Sequence, residues 1–151
     1  MKIIKLLLVG LVAITSFSSL SAAEHEVKML NNGAEGMMVF EPSVIKAAVG
    51  DTVKFIPTDA GHNVSLDFAP EGSPTWKSEA GKEFTATLDK EGTYIYQCDP
   101  HGVMAMVGVI KVGEAATSDA AKEAATKLSA TFVMNKDRLE KYMADLDKAE
   151  E

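Results

Sequence analysis

Apolar and polar residues alternate with a period of two through much of residues 24–112, the spacing of half-buried strands. Val27 and Met29, with Asn31, alternate with polar neighbours, and Met38–Phe40, Ser43–Ala47 and Thr52–Ile56 follow as short runs. Phe84, Ala86 and Leu88 interleave with Glu83, Thr85 and Thr87, and Tyr94 and Tyr96 with Ile95 and Gln97. In the last run Met106, Gly108, Ile110 and Val112 share one side and Lys111 the other, so Lys111 marks a solvent face and Met106 points inward. Turns are expected at Asn31-Asn32-Gly33, Glu35-Gly36, Gly50-Asp51 and Pro57-Thr58-Asp59. Many short strands without an internal repeat predict an all-β antiparallel sandwich or barrel.

Beyond residue 112 the period lengthens. Leu139, Tyr142, Met143 and Leu146 lie at i, i+3, i+4 and i+7, one face of a helix, with Asn135 as its expected N-cap. Ala120, Ala121, Ala124, Ala125 and Leu128 form a small-residue stripe that starts at Ser118 or Asp119. Two helices are predicted, over 118–128 and 136–149. Phe132, Val133 and Met134 between them need burial, which favours packing on the sheet over a loose tail.

The start of the chain has a different character. Lys2 and Lys5 precede an apolar run from Leu6 to Ile14, and Ser21-Ala22-Ala23 supplies small residues for cleavage. This is the pattern of an export signal; the run is far short of the roughly twenty residues of a membrane span. The expected organisation is a signal peptide at 1–23 cut after Ala23, a domain at 24–112, and a two-helix extension at 113–151.

Charge and cysteine usage narrow the function. The net charge is −7, and −9 once the leader and its two lysines are gone, which argues against nucleic acid or an anionic membrane as a partner. The single Cys98 excludes an internal disulfide and a Cys-only zinc site. In an oxidising compartment a lone thiol is oxidised unless something occupies it, and a metal is the simplest protector.

His62 in Gly61-His62-Asn63-Val64, and Cys98-Asp99-Pro100-His101-Gly102-Val103-Met104-Ala105-Met106, carry the chemistry. A thiolate, two imidazoles and a thioether form the soft, mixed donor set of blue-copper sites. One loop brings Cys98, His101 and a methionine to a point, with Pro100 fixing the turn, while His62 arrives from a distant strand end. Zinc also takes Cys and His, but thioether is not among its usual ligands. A Cys98–His101 nucleophilic pair lacks an orienting acid. Met104 lies three residues after His101 and Met106 five; the inward face of the last strand favours Met106 as the axial donor, leaving Met104 for the rim.

These motifs resemble the cupredoxins, and among them the pseudoazurins. The closer likeness rests on Met29-Leu30-Asn31-Asn32-Gly33-Ala34-Glu35-Gly36, Met38-Val39-Phe40-Glu41-Pro42, Gly50-Asp51-Thr52-Val53-Lys54-Phe55-Ile56-Pro57 and Pro70-Glu71-Gly72. The resemblance implies an eight-stranded Greek-key sandwich followed by two helices. It implies one type 1 copper ion held by His62, Cys98, His101 and Met106, Asn63 bracing the thiolate loop, and Met38 beside the His101 imidazole. Four protein ligands leave no open position for substrate, so it implies a one-electron carrier and not an enzyme. The electron port is the His101 edge, within an apolar ring of Met38, Pro100 and Met104.

The implied setting is the periplasm. Nitrite reductase or another denitrification enzyme is the acceptor, and the respiratory chain or a cytochrome c the donor, meeting a monomeric carrier. Pseudoazurins commonly place lysines around that face; here Asn32, Ala60 and Gln97 stand there, and Lys77 remains near Glu79. A copper carrier or chaperone on the same fold, and a module bound to an enzyme, are the alternative functions.

Overall fold

The computed structural model describes residues 21–148. The strands are β1 (Glu24–Gly33), β2 (Gly36–Glu41), β3 (Val44–Ala47), β4 (Thr52–Ile56), β5 (Ser65–Phe68), β6 (Phe84–Thr87), β7 (Gly92–Gln97) and β8 (Val107–Val112), followed by helices α1 (Asp119–Ser129) and α2 (Arg138–Leu146). The segment read as an export signal lies outside the described residues up to position 20, as does the end of the second helix predicted to reach 149.

Two four-stranded sheets face each other, in the orders β2-β1-β4-β6 and β3-β8-β7-β5. They are mixed and not purely antiparallel: β1 runs parallel to β4 and β3 parallel to β8, with Val27 opposite Phe55 and Ile45 opposite Ile110. Neither pair is joined by a hairpin; the chain leaves for other strands and returns, which lets neighbours point the same way. In β1 Val27 and Met29 are buried while Glu26 and Lys28 are exposed, the alternation read from sequence.

The inter-sheet core centres on aromatic rings. Tyr96 meets Phe40 and Phe55 edge-on, at centroid distances of 4.9 and 5.0 Å. Gly108 lies across the ladder from Tyr96, and a Cβ there would overlap the phenol ring. That fit explains a glycine in the middle of a central strand.

The second core corrects the reading of β8. Val107 and Val109 are as buried as Met106 and Ile110, because Ala125, Leu128, Phe132, Leu139, Tyr142 and Leu146 cover them from the helices. Lys111 marks no solvent face; it sits at the far end of the strand, 3.8 Å from Asp147. Met106 does point inward, and its place in the inter-sheet cluster shows it.

Other expectations change with the tertiary contacts. Strand β5 adds to the predicted runs: Val64, Leu66 and Phe68 alternate with Ser65 and Asp67, and the strand lies at a sheet edge with a bulge between Leu66 and Phe68. Asn31-Asn32-Gly33 is no turn but the end of β1, which pairs as far as Gly33 with Gly36. Of the linker residues only Phe132 is buried; Val133 and Met134 are 71% and 46% exposed. Ser118 caps α1 by accepting from the Ala121 N–H at 3.1 Å. Asn135 does not cap α2. It adopts a positive φ of 51° and its amide is used elsewhere, leaving Asp137 at the N-cap position.

Candidate metal centre

The β7–β8 connection carries three of the sequence-predicted ligands. Past Gln97 the ladder continues for one more bond, from the Cys98 N–H to the Met106 carbonyl at 3.0 Å, so Cys98 and Met106 face each other across the neck of the loop. Between them Asp99–Met104 forms a 3₁₀ turn with Pro100 in its first positions, and Ala105 closes it at φ 58°. The His101 N–H donates to the Cys98 carbonyl at 3.2 Å and the Met106 N–H to the His101 carbonyl at 3.2 Å. At Gly102 the Gln97 side chain folds close, its Oε1 2.5 Å from where a Cβ would stand, so a larger residue there would have to displace the Gln97 amide.

His62 comes from the β4–β5 connection. That segment is tied to residues 78–81 by the Val64 N–H to Ser78 Oγ at 3.0 Å, the Ser78 N–H to the Val64 carbonyl at 2.8 Å, and the Gly81 N–H to the His62 carbonyl at 2.9 Å. Asn63 joins it to the ligand loop. Its amide donates to the Asp99 carboxylate at 2.8 Å, and its own oxygen accepts from the Asp99 N–H at 2.8 Å.

The donor atoms converge. His62 Nδ1 lies 3.1 Å from His101 Nδ1, and Cys98 Sγ lies 3.7 Å and 3.5 Å from those two nitrogens. A triangle with sides of 3.1, 3.5 and 3.7 Å has its centre about 2 Å from each corner, the length of a bond from a first-row transition metal to imidazole or thiolate. His62 donates its other N–H, at Nε2, to Asn31 Oδ1 at 2.9 Å, which leaves the Nδ1 lone pair aimed at that centre. Sequence reasoning gave Asn31 no such role, because its side chain reaches His62 only through the pairing of β1 with β4.

The surroundings of His62 and Cys98 favour the neutral groups. Burial, then the charge of His101, lowers the His62 pKa, and Asp59 partly opposes this. Burial pushes the Cys98 thiol up, against the backbone N–H groups of Asn63 and His101 that hold it down. A metal at the centre therefore displaces the thiol proton on binding. His62 and Cys98 are fully buried, and His101 alone of the three is partly exposed.

The remaining predicted residues fall nearby. Met106 is fully buried beside Cys98 in the inter-sheet cluster, Met38 is half-buried against that cluster, Met104 is half-buried, and Pro100 is exposed. Lys77 is bound to the Asp99 carboxylate at 2.8 Å, and this lysine, with the Asn63 amide, lowers the Asp99 pKa. A surface groove of about 660 Å³ between Lys46, Lys111 and Asp147 shares no residue with this centre.

A family model described as copper binding proteins, plastocyanin/azurin family, matches residues 27–113. The pseudoazurin of Paracoccus pantotrophus is 46% identical over 106 residues, covering 68% of this chain and 73% of that one. The solved pseudoazurin of Methylobacterium extorquens AM1 superposes with a TM-score of 0.71 at 38% identity, covering 82% of this chain and 99% of the other. A solved pseudoazurin from Sinorhizobium gives 0.70 at 42% identity, covering 83% and 98%.

This chain belongs to the cupredoxins, on their pseudoazurin branch.

The cofactor of this cupredoxin is copper, one ion per chain, and the donor set fits it. Among the described residues, His62, Cys98 and His101 form the group of His, Cys and acidic side chains whose donor atoms come within 4.8 Å of one another. Two imidazoles and a thiolate with a buried thioether close by suit copper better than zinc. Sequence similarity extends over the sandwich, and the superposition on the two solved pseudoazurins takes in more than four-fifths of the chain.

Proposed function

We propose that this cupredoxin is a periplasmic blue copper protein that carries single electrons, with His62, Cys98, His101 and Met106 as the copper ligands. The convergence of the first three on one centre, with His62 and Cys98 sealed from water and His101 reaching the surface, carries this reading. When bound, copper supplies one-electron chemistry between Cu(I) and Cu(II). The protein holds the donors in place through a 3₁₀ turn, a closed ladder neck and the Asn63–Asp99 pair, so little has to rearrange around the site. Four protein donors leave no position for a substrate, which favours a carrier over an enzyme.

The His101 edge is the proposed port, with Met38, Pro100 and Met104 around it. Met37 and Val103 are exposed to about half of their surface, and Met134 nearly so. Both the Val133 and Met134 N–H groups donate to the Val103 carbonyl, so these apolar side chains are carried on segments adjoining the ligand loop. Such a surface suits brief contact with a redox partner. Nitrite reductase or another denitrification enzyme is the proposed acceptor, with the respiratory chain or a cytochrome c as donor. Export rests on the Met1–Ala23 pattern; no helix among the described residues is long and apolar enough to cross a membrane.

The test is to add Cu(II) to the apo protein. An intense thiolate-to-copper charge-transfer band at one copper per chain is expected, together with a reversible one-electron redox titration. Cys98→Ala should lose the band while the apo fold persists; a band retained in that variant would sink the ligand assignment. Slow release of copper to a chelator separates the carrier of electrons from a copper chaperone.

A further inference from the structure

We infer that residues 133–138, the link between the helices, clamp the copper loop, and that Arg138 is the positioning residue of that clamp. Three consecutive carbonyls of the loop are taken by this one segment. Val103 accepts from the Val133 and Met134 N–H groups at 2.7 and 3.2 Å, Met104 from the Asn135 amide at 3.2 Å, and Ala105 from Arg138 Nη1 at 3.1 Å. The same guanidinium donates to the carbonyls of Met37 and Met38 at 3.2 and 3.0 Å, and to that of Glu35 at 3.4 Å. One side chain thus joins α2, the β1–β2 hairpin and the residue between Met104 and Met106.

The cost of this arrangement points to its purpose. Arg138 is 7% exposed, and among the described residues no carboxylate lies within ion-pair distance of it. A buried cation is expensive, and one in the first turn of a helix also opposes the helix dipole. The non-glycine residues with positive φ among those described are Met38, Ala105 and Asn135, and all three belong to the clamp. Backbone held in that region persists where the surroundings over-determine it. Anchoring the helix alone would not require hydrogen bonds to two strained residues that adjoin the site. The fork of donors fixes Ala105, and through it the approach of Met106 to Cys98, while it fixes Met38 on the other side.

The inference rests on the copper reading, and the experiment separates the two. Arg138→Met removes the charge and the donors, Arg138→Lys keeps the charge with a compact head, and Asn135→Gly removes one donor while permitting the positive φ. Tyr142→Phe is the control: it frees α2 from the Glu35 carboxylate, to which Tyr142 donates at 2.8 Å, without touching the loop. Backbone amide exchange over 99–106 in the apo proteins, the charge-transfer band pattern and the rate of copper loss to a chelator are measured.

Arg138→Met should speed exchange in that loop, alter the relative band intensities and lose copper on the order of 10-fold faster, the scale of lost outer-sphere support. Arg138→Lys and Asn135→Gly should show smaller changes of the same kind and keep the test alive if Arg138→Met does not fold. Tyr142→Phe should lower stability and leave all three readouts unchanged. Arg138 variants that match wild type, or a Tyr142→Phe variant that moves the readouts as far, would overturn the clamp. A wild type without the band would overturn the copper reading instead, and apo exchange would still decide the clamp.

Discussion

Asn63 and Asp99 exchange two hydrogen bonds, each of 2.8 Å, and in doing so lock the segment that carries His62 to the loop that carries Cys98 and His101. Asn63 is 6% exposed, so its amide has little access to water if the pair is broken, while Asp99 is exposed on the loop. Asn63→Ala should cost about 1–3 kcal/mol of apo stability by urea unfolding, because it leaves the Asp99 N–H without its acceptor. Asn63→Asp should be worse, since it turns a donor toward Asp99 into a second carboxylate. An apo midpoint unchanged in either variant would show that the pair holds nothing together.

The two thioethers make opposite predictions. Met106 is sealed in the inter-sheet core next to Cys98, whereas Met104 is half-exposed at the loop's outer end. Met106→Leu should retain copper, raise the reduction potential and change the colour, because a weak axial donor to Cu(II) is lost. Met104→Leu should leave the spectrum nearly as it was and alter the rate with a partner. Spectra and potentials of both variants decide, and the reverse pattern would hand the axial role to Met104.

Acid should weaken the fold through Asp51, far from the metal. Its carboxylate accepts from His25 at 2.8 Å and from the Ala23 and Ala48 N–H groups, and these bonds, that to His25 first, push its pKa down to about 2; cleavage after Ala23 removes the Ala23 donor and leaves the His25 and Ala48 bonds. A lowered carboxylate pKa contributes stability that is present above its unfolded value near 4 and is lost as the pH falls through about 2. Urea unfolding of the apo protein between pH 5 and pH 2 should therefore show a decline to which Asp51 contributes roughly 1 kcal/mol after solvent screening. Asp51→Asn should start lower at pH 5 and fall less steeply; parallel curves would remove Asp51 from the account.

Docking should follow charge. The chain without its leader carries −9, and Lys77, the lysine expected to remain at the docking face, is engaged by Asp99 at 2.8 Å. Electron transfer to a strongly acidic partner should be slow at low salt and speed up as salt screens the repulsion, while transfer to a basic partner should slow. Stopped-flow rates across ionic strengths read the sign. Fast transfer to an acidic reductase that salt weakens would mean that local lysines outweigh the net charge.

Much of this molecule is local enough to be written in the chain. The alternation in β1, β4 and β6 is a property of neighbours two residues apart, and the run from Cys98 to Met106 sets three donors on one short loop whatever surrounds it. What the sequence could not state is which distant groups meet. The parallel pairing of β1 with β4 and of β3 with β8, and the place of β5 at a sheet edge, depend on the route of the chain between sheets. Lys111 misled because a solvent face and a face under helices look alike until the helices are placed. Asn31 reads as a turn residue and Asn135 as a cap, since a short amide side chain serves both ends locally. Only the packed fold turned the first toward His62 and the second toward Met104. Arg138 is the extreme case: its acceptors lie 33 to 103 positions away, and a hydrogen bond to a backbone carbonyl leaves no trace in the identity of the residue that offers it.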